Sequence, residues 1–66
     1  MEVFVNNTGK IISEQSSLST LIESLELSPK GIAIAIGNKV VPKTLWENTL
    51  LHAGDKITII KATQGG

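Results

Sequence analysis

The sequence contains no cysteine and no tyrosine, and its only aromatic side chains are Phe4 and Trp46. Without cysteine, disulfides cannot stabilise the fold, and no thiolate is present to bind a metal ion. The absence of cysteine fits a reducing compartment, so we expect a cytoplasmic location. The scarcity of aromatic rings also removes the side chains on which single-stranded nucleic acids stack.

No excess charge and no long apolar run are present either. Six basic and six acidic residues give a formal net charge of +0, so the chain has little with which to neutralise phosphates, and we expect no nucleic-acid partner. The longest apolar run, Ile32 to Ile36, is far shorter than the about 20 residues of a membrane-spanning helix. The first residues also lack a basic segment followed by an apolar stretch, so we expect neither export nor an anchor.

The length of 66 residues leaves room for one domain, which we place at residues 1–66. A chain of this size buries only about 60% of the surface that its unfolded form exposes, so its stability is marginal. The hydrophobic fraction of 41% and the charged fraction of 18% are nevertheless typical of a globular protein. Nothing in the sequence supplies a nucleophile, a base and a cofactor site together, so we do not expect an enzyme.

The hydrophobic period predicts a hairpin and a helix in the first half of the chain. "MEVFV" alternates with the period of a strand, and "NNTG" predicts a turn into a returning strand, "KIIS". In "SLSTLIESLEL" the apolar residues recur at i, i+3, i+4 and i+7, which places them on one stripe of a helix. We expect Ser17 to cap the start of this helix, and Pro29 and Gly31 to end it.

The second half predicts three more strands. "IAIAI" places isoleucines on one face and alanines on the other, and a strand that is apolar on both faces is expected at the centre of a sheet. "GN" predicts a turn into "KVV", which Pro42 ends. A short helical turn around Leu45 and Trp46, a turn at Gly54 and Asp55, and a final strand "KITIIKA" follow. This order predicts an α+β fold with a mixed sheet and its helix on one face.

The apolar positions of the helix and the strands also predict a core. We expect six residues to meet between helix and sheet: Leu21, Ile22, Leu25, Ile34, Ile57 and Ile59. Trp46 is interpreted as a core or covering residue. His52 precedes Asp55 by three residues, but a single histidine without a nucleophile motif is interpreted as a surface-loop residue.

The stretch from Ile32 to Gly66 shows a family resemblance. It contains an alternating strand, a turn, a "VVP" strand end, a Trp four residues after the Pro, a "GD" turn and a closing "QGG". This series resembles the ThiS family, the sulfur carrier proteins of thiamin biosynthesis, and the opening "MEVFV" followed by "GK" looks like the first hairpin of ubiquitin-like proteins. The resemblance implies the ubiquitin-like β-grasp fold: a mixed sheet of about five strands, one main helix on one face and a short helical turn before the last strand.

The resemblance implies a function for the terminal diglycine. The C-terminal carboxylate of Gly66 would be the reactive group, and Gly65, Gln64 and Thr63 would form the tail that partner enzymes bind. A ThiF-like adenylyltransferase would use ATP to adenylate the carboxylate, a sulfur-donating enzyme would convert it to a thiocarboxylate, and thiazole synthase would take the sulfur. Glycine suits this role because it has no Cβ to block entry into a narrow site. The chain itself would bind no cofactor and no metal, and would be a carrier rather than an enzyme.

Other functions remain open at this point. The same tail chemistry would serve a sulfur carrier of another pathway, such as the small subunit of molybdopterin synthase, or a ubiquitin-type modifier. Chain length favours the thiamin carrier, since the molybdopterin synthase subunits and the ubiquitin-type modifiers are usually somewhat longer than this chain. A non-catalytic interaction module with an inert tail is a further alternative, because two glycines at a terminus are often only a frayed end.

Residues 63–66 are predicted to form a flexible C-terminal tail. They offer little apolar surface to offset the entropy lost on ordering, whereas Ile57 and Ile59 belong to a predicted packed strand. Backbone relaxation measured by NMR should give order parameters below about 0.6 in the tail and near about 0.85 at the two isoleucines. High order parameters through Gly66 in the isolated protein would contradict this prediction.

Overall fold

The computed structural model describes residues 1–28 and 30–61. Pro29 and residues 62–66, which include the predicted tail, lie outside the described residues. The described residues form five β-strands, one α-helix and one 3₁₀ helix. In chain order these are β1 (Glu2–Val5), β2 (Thr8–Ile11), α1 (Leu18–Ser24), β3 (Ile32–Ile36), β4 (Lys39–Val41), the 3₁₀ helix (Lys43–Asn48) and β5 (Lys56–Lys61).

The strands form a mixed sheet with the order β2-β1-β5-β3-β4. β1 and β5 run parallel, and the other neighbours run antiparallel. The element order, the mixed sheet and the helix confirm the predicted β-grasp arrangement. β3 is paired on both edges, by β5 and β4, as expected for an interior strand, and β5 is the middle strand of the five. Ala33 is exposed, so the alanines of β3 mark an open face of the sheet rather than a second covered one.

A two-residue turn joins β1 to β2. Asn6 and Asn7 have φ angles of 49° and 70°, the left-handed values required at both central positions of a type I′ turn. Asparagine tolerates this conformation better than other residues with a Cβ. The predicted turn was too long, since Thr8 and Gly9 already belong to β2 and pair with β1.

The start of α1 is capped as predicted. The Oγ of Ser17 accepts a hydrogen bond from the backbone N–H of Thr20 at 3.1 Å. Ser17 also forms an isolated antiparallel bridge with Leu50, which joins the start of the helix to the chain after the 3₁₀ helix. The neighbouring Leu51 is buried at 2% exposure, so this bridge also closes one end of the core.

The end of α1 differs from the prediction. The helix stops at Ser24, before the proline and glycine that the sequence indicated. Glu26 adopts a left-handed φ of 58°, its N–H donates to the carbonyl oxygen of Glu23 at 3.0 Å, and the Leu27 N–H donates to that of Ile22 at 3.3 Å. These bonds form a Schellman motif, which satisfies the last helical carbonyls with glutamate in the position that glycine usually occupies. None of the helices in the described residues is long and apolar enough to cross a membrane.

The hydrophobic core lies between the sheet and the helices. Leu25 and Ile59, both predicted core residues, are only half-buried and pack against its edge. Trp46 is 5% exposed, and its Nε1 donates to the carbonyl oxygen of Val41 at 2.9 Å, so it is a core residue. The buried hydrophobic residues, which include the other four predicted ones, are Val3, Val5, Leu18, Leu21, Ile22, Ile34, Trp46, Leu51 and Ile57.

Truncating Ile34 should destabilise the protein strongly. Its side chain is 1% exposed, so Ile34→Ala should lower the free energy of unfolding by roughly 2–5 kcal/mol. Ile60→Ala is the matched control, because that isoleucine lies in the neighbouring strand with 57% exposure and should cost no more than about 0.5 kcal/mol. Urea unfolding measures both values, and equal midpoints would show that the buried face is assigned wrongly.

Candidate functional site

β5 leads directly to the predicted reactive end of the chain. Its last residue, Lys61, pairs with Ile32 at the start of β3. Residues 62–66 follow in the sequence, and an extended chain spans at most about 3.6 Å per residue. Five residues can therefore span at most roughly 18 Å beyond Lys61. The position of β5 sets the region of space that the terminus can reach.

Strands on both sides hold the first half of β5. β1 pairs with it in parallel, with Val5 opposite Ile57, and both of these side chains are buried. The backbone N–H of Phe4 donates to the carbonyl oxygen of Asp55 at 2.9 Å, just before the strand begins. β3 pairs with β5 along its other edge as far as Lys61. These bonds fix the start and the direction of the strand.

The loop before β5 is ordered by Asp55. Its Oδ2 accepts a hydrogen bond from the backbone N–H of His52 at 2.8 Å and lies 3.8 Å from the Nδ1 of the same residue. Gly54, with a left-handed φ of 86°, donates its N–H to the carbonyl oxygen of Glu2 at 2.7 Å. The His52 side chain is 81% exposed, which confirms its interpretation as a surface-loop residue.

The face of the sheet opposite α1 presents apolar side chains next to the end of β5. We call Ala33, Ala35, Val40, Thr58 and Ile60 the open sheet face, since they are cross-strand neighbours on that side. Val40 is 71% exposed and Ile60 is 57% exposed. The alanine side chains between them are small, so this surface is flat and largely apolar. Ile60 directly precedes Lys61, the last described residue.

The charged side chains of residues 1–28 and 30–61 lie outside the hydrophobic core. No polar or charged side chain is buried among residues 1–28 and 30–61. No group of three or more His, Cys, Asp or Glu residues in the same ranges is placed to bind a metal ion.

The predicted site residues Thr63, Gln64, Gly65 and Gly66 lie outside the described residues, so their roles remain predictions. The sequence predicts the alanine face of β3, but that prediction does not include Val40, the exposed residue of β4 that extends this face. The alternation in "KVV" was a signal for this residue, since its two valines point to opposite faces of the sheet.

Known proteins resemble this chain over its whole length. The family model described as "ThiS family" matches residues 3–66. The sulfur carrier protein ThiS of Escherichia coli (strain K12) is 26% identical over 66 residues, which are 100% of both chains. An uncharacterized protein of Porphyra purpurea, ycf40, is 30% identical over 66 residues, covering 100% of this chain and 93% of that protein.

Two solved structures have the same fold. The crystal structure of the thiamine biosynthesis protein ThiS from Geobacter metallireducens superposes with a TM-score of 0.85 at 17% identity, with 100% of both chains covered. An NMR solution structure of a thiamine biosynthesis protein from the same organism gives a TM-score of 0.79 at 17% identity, covering 100% of this chain and 88% of that one. These likenesses show the fold, which is the ubiquitin-like β-grasp fold.

Proposed function

Because the chain belongs to the ThiS family of sulfur carrier proteins, we propose that the carboxylate of Gly66 carries sulfur for thiazole formation in thiamin biosynthesis. The observation that supports this proposal most is the family match over residues 3–66, since the matched range includes the terminal diglycine. In this proposal the 66 residues act as one domain with residues 63–66 as its tail. Other enzymes act on that tail, and the chain is their co-substrate.

The first step activates the carboxylate. Sulfur cannot replace a carboxylate oxygen directly, because the leaving group would be oxide. A carboxylate oxygen of Gly66 instead attacks the α-phosphorus of ATP, the bond from that phosphorus to pyrophosphate breaks, and an acyl-adenylate forms. In this proposal a ThiF-like adenylyltransferase in the cytoplasm binds the ATP and supplies this site. This chain contributes only the carboxylate of Gly66 to the step.

The second step introduces sulfur. Hydrosulfide, supplied by a sulfur-donating enzyme, adds to the acyl carbon of Gly66, and AMP leaves with the former carboxylate oxygen. A proton is released, and the product is a thiocarboxylate. Thiazole synthase then takes the sulfur for the thiazole ring. Gly65 and Gly66 suit both steps, because the absence of a Cβ leaves the acyl carbon open to attack.

The length of the tail suits a reaction that takes place in the active site of a partner enzyme. The carboxylate can enter a recessed active site while the folded residues stay outside, since five residues span up to roughly 18 Å beyond Lys61. Gln64 and Thr63 then lie inside the entrance of the partner. A partner that receives the tail in this way comes close to the end of β5. The open sheet face is the apolar surface available there, and in our proposal the partner enzymes bind it.

Removing or blocking Gly66 should abolish charging without affecting the fold. Deleting Gly66 shortens the reach of the carboxylate, and a C-terminal extension replaces the carboxylate with an amide. Since neither change touches the core, thermal melts should match those of the native chain. Incubation with ATP, a ThiF-like adenylyltransferase and a sulfide source should raise the intact mass of the native chain alone, by the difference between a sulfur and an oxygen atom.

Fragmentation of the charged chain gives the control for this experiment. The added mass should map to the fragment that contains Gly66. The carrier proposal is overturned if a shortened or extended chain is charged as well as the native one, or if the sulfur maps to an internal residue.

Polar substitutions on the open sheet face should weaken the binding of the partner enzyme and leave the fold intact. Ile60→Ser and Val40→Ser should raise the KM for adenylation, because these exposed side chains lose apolar contact with the enzyme. Leu50→Ser is the matched control, since that residue is 52% exposed and lies beside the start of α1. If all three variants raise the KM equally, the open sheet face is not the docking surface.

A further inference from the structure

β5 is supported unequally along its two edges. On one edge, β3 pairs with it from Ile57 to Lys61. On the other edge, the pairing with β1 ends where Val5 lies opposite Ile57, because the chain then turns at Asn6 into β2. The half of β5 next to the C-terminus therefore has a complete neighbouring strand on one edge only.

The side chain of Asn6 continues the pairing where β1 stops. Its Oδ1 accepts a hydrogen bond from the Ile59 N–H at 2.9 Å, and its Nδ2 donates to the Ile59 carbonyl oxygen at 3.3 Å. The backbone N–H of Asn6 donates to the carbonyl oxygen of Ile57 at 2.9 Å. Since a side-chain amide offers the same donor and acceptor types as a peptide group, the Asn6 side chain replaces the next residue of β1.

The geometry of antiparallel pairing explains why β3 cannot bond the backbone groups of Ile59. Successive residues of β5 point their backbone groups in turn toward β3 and away from it. The N–H and the carbonyl of Ile59 point away from β3, toward Asn6. Without the side chain, both groups would lose their protein partner two residues before Lys61. The end of β5 would then be bonded along one edge.

No other described side chain makes a comparable connection. The two Asn6 bonds join residues 53 positions apart in the sequence. The remaining side-chain hydrogen bonds among residues 1–28 and 30–61 span five positions or fewer. Asn6 is also one of the two left-handed residues of the turn, so its backbone turns into β2 while its side chain extends β1.

We propose that Asn6 is a positioning residue for the terminal carboxylate, because it holds the C-terminal half of β5 and so fixes where the chain leaves the sheet at Lys61. The inference rests on the proposed sulfur-carrier function, since this exit matters only if a partner must receive Gly66. Asn6 touches no reacting atom. Its effect passes through the backbone of Ile59.

Three variants of the full chain test this role. Asn6→Gly removes both side-chain hydrogen bonds and retains a residue that accepts the left-handed φ. Asn6→Asp keeps the acceptor for the Ile59 N–H but places a negatively charged oxygen where the donor faced the Ile59 carbonyl. Asn7→Gly is the matched control, because it changes the neighbouring left-handed position, whose φ is 70°.

Two measurements are made on each variant, at a temperature where all of them are folded. Amide hydrogen exchange followed by NMR reports the order of β5 at Ile59 without any partner. Pyrophosphate release with ATP and a ThiF-like adenylyltransferase gives kcat and KM, with the carrier as the varied substrate. A purely structural role would change the melting temperature and the exchange rate, whereas a positioning role also changes the KM.

Both Asn6 variants should differ from the native chain and from the control. Exchange at Ile59 should be faster by roughly threefold to tenfold in Asn6→Gly, the factor expected for one lost hydrogen bond. The KM should rise by a similar factor with little change in kcat, because the enzyme must order the end of β5 on binding. Asn6→Asp should show a smaller increase in both quantities, because it keeps the acceptor for the Ile59 N–H and loses only the donor to the Ile59 carbonyl oxygen. Asn7→Gly should match the native chain.

Three other outcomes would contradict either the inference about Asn6 or the proposed function, and the measurements distinguish them. If exchange at Ile59 is unchanged in both Asn6 variants, the side chain does not hold β5, and the inference is wrong. If exchange accelerates but the KM does not change, Asn6 has a structural role only, and the positioning role is wrong. If the native chain itself is never adenylated, the failure is that of the proposed function.

Discussion

The parallel pairing of β1 with β5 is the contact on which the rest of the structure depends. Through two residue pairs it joins the β1–β2 hairpin to β5, which in turn pairs with β3, and it brings the buried residues Val5 and Ile57 side by side. The first and last strands can meet in parallel only if the intervening chain crosses over the sheet, which places α1 on one face. The opposite face is therefore left open. The same pairing makes the last strand the central one, so the C-terminal segment begins from the middle of the sheet.

Local periodicity predicted most of the fold, because the burial of each element determines its pattern. The stripe of α1 and the isoleucines of β3 face the core, and Leu21 and Ile34 are buried as expected. The strand order was not predictable in the same way. Alanine reads as apolar whether it is covered or exposed, so "IAIAI" did not reveal that Ala33 faces outward. The end of α1 was also missed, since hydrogen bonds around a left-handed Glu26 end the helix without proline or glycine.

The candidate site was predicted by a different route. The role predicted for Gly66 is implied by the family resemblance, which rests on the order of motifs along the chain and not on three-dimensional contacts. The contribution of Asn6 could not be predicted, because its side chain bonds to Ile59 across 53 residues of sequence. In the sequence it is only one of two asparagines in a turn. Polar contacts between residues far apart in the sequence produce no hydrophobic periodicity, so no sequence pattern reveals them.

The central position of β5 also has a mechanical consequence. An enzyme that draws the C-terminus into its site pulls along the axis of this strand. β5 is bonded along both edges over its first half, so such a load acts on the hydrogen bonds of both neighbours in shear and shares the force among them. An edge strand pulled away from its sheet would instead lose its bonds one after another. The domain therefore resists a pull on its last strand with the hydrogen bonds of two neighbouring strands rather than one.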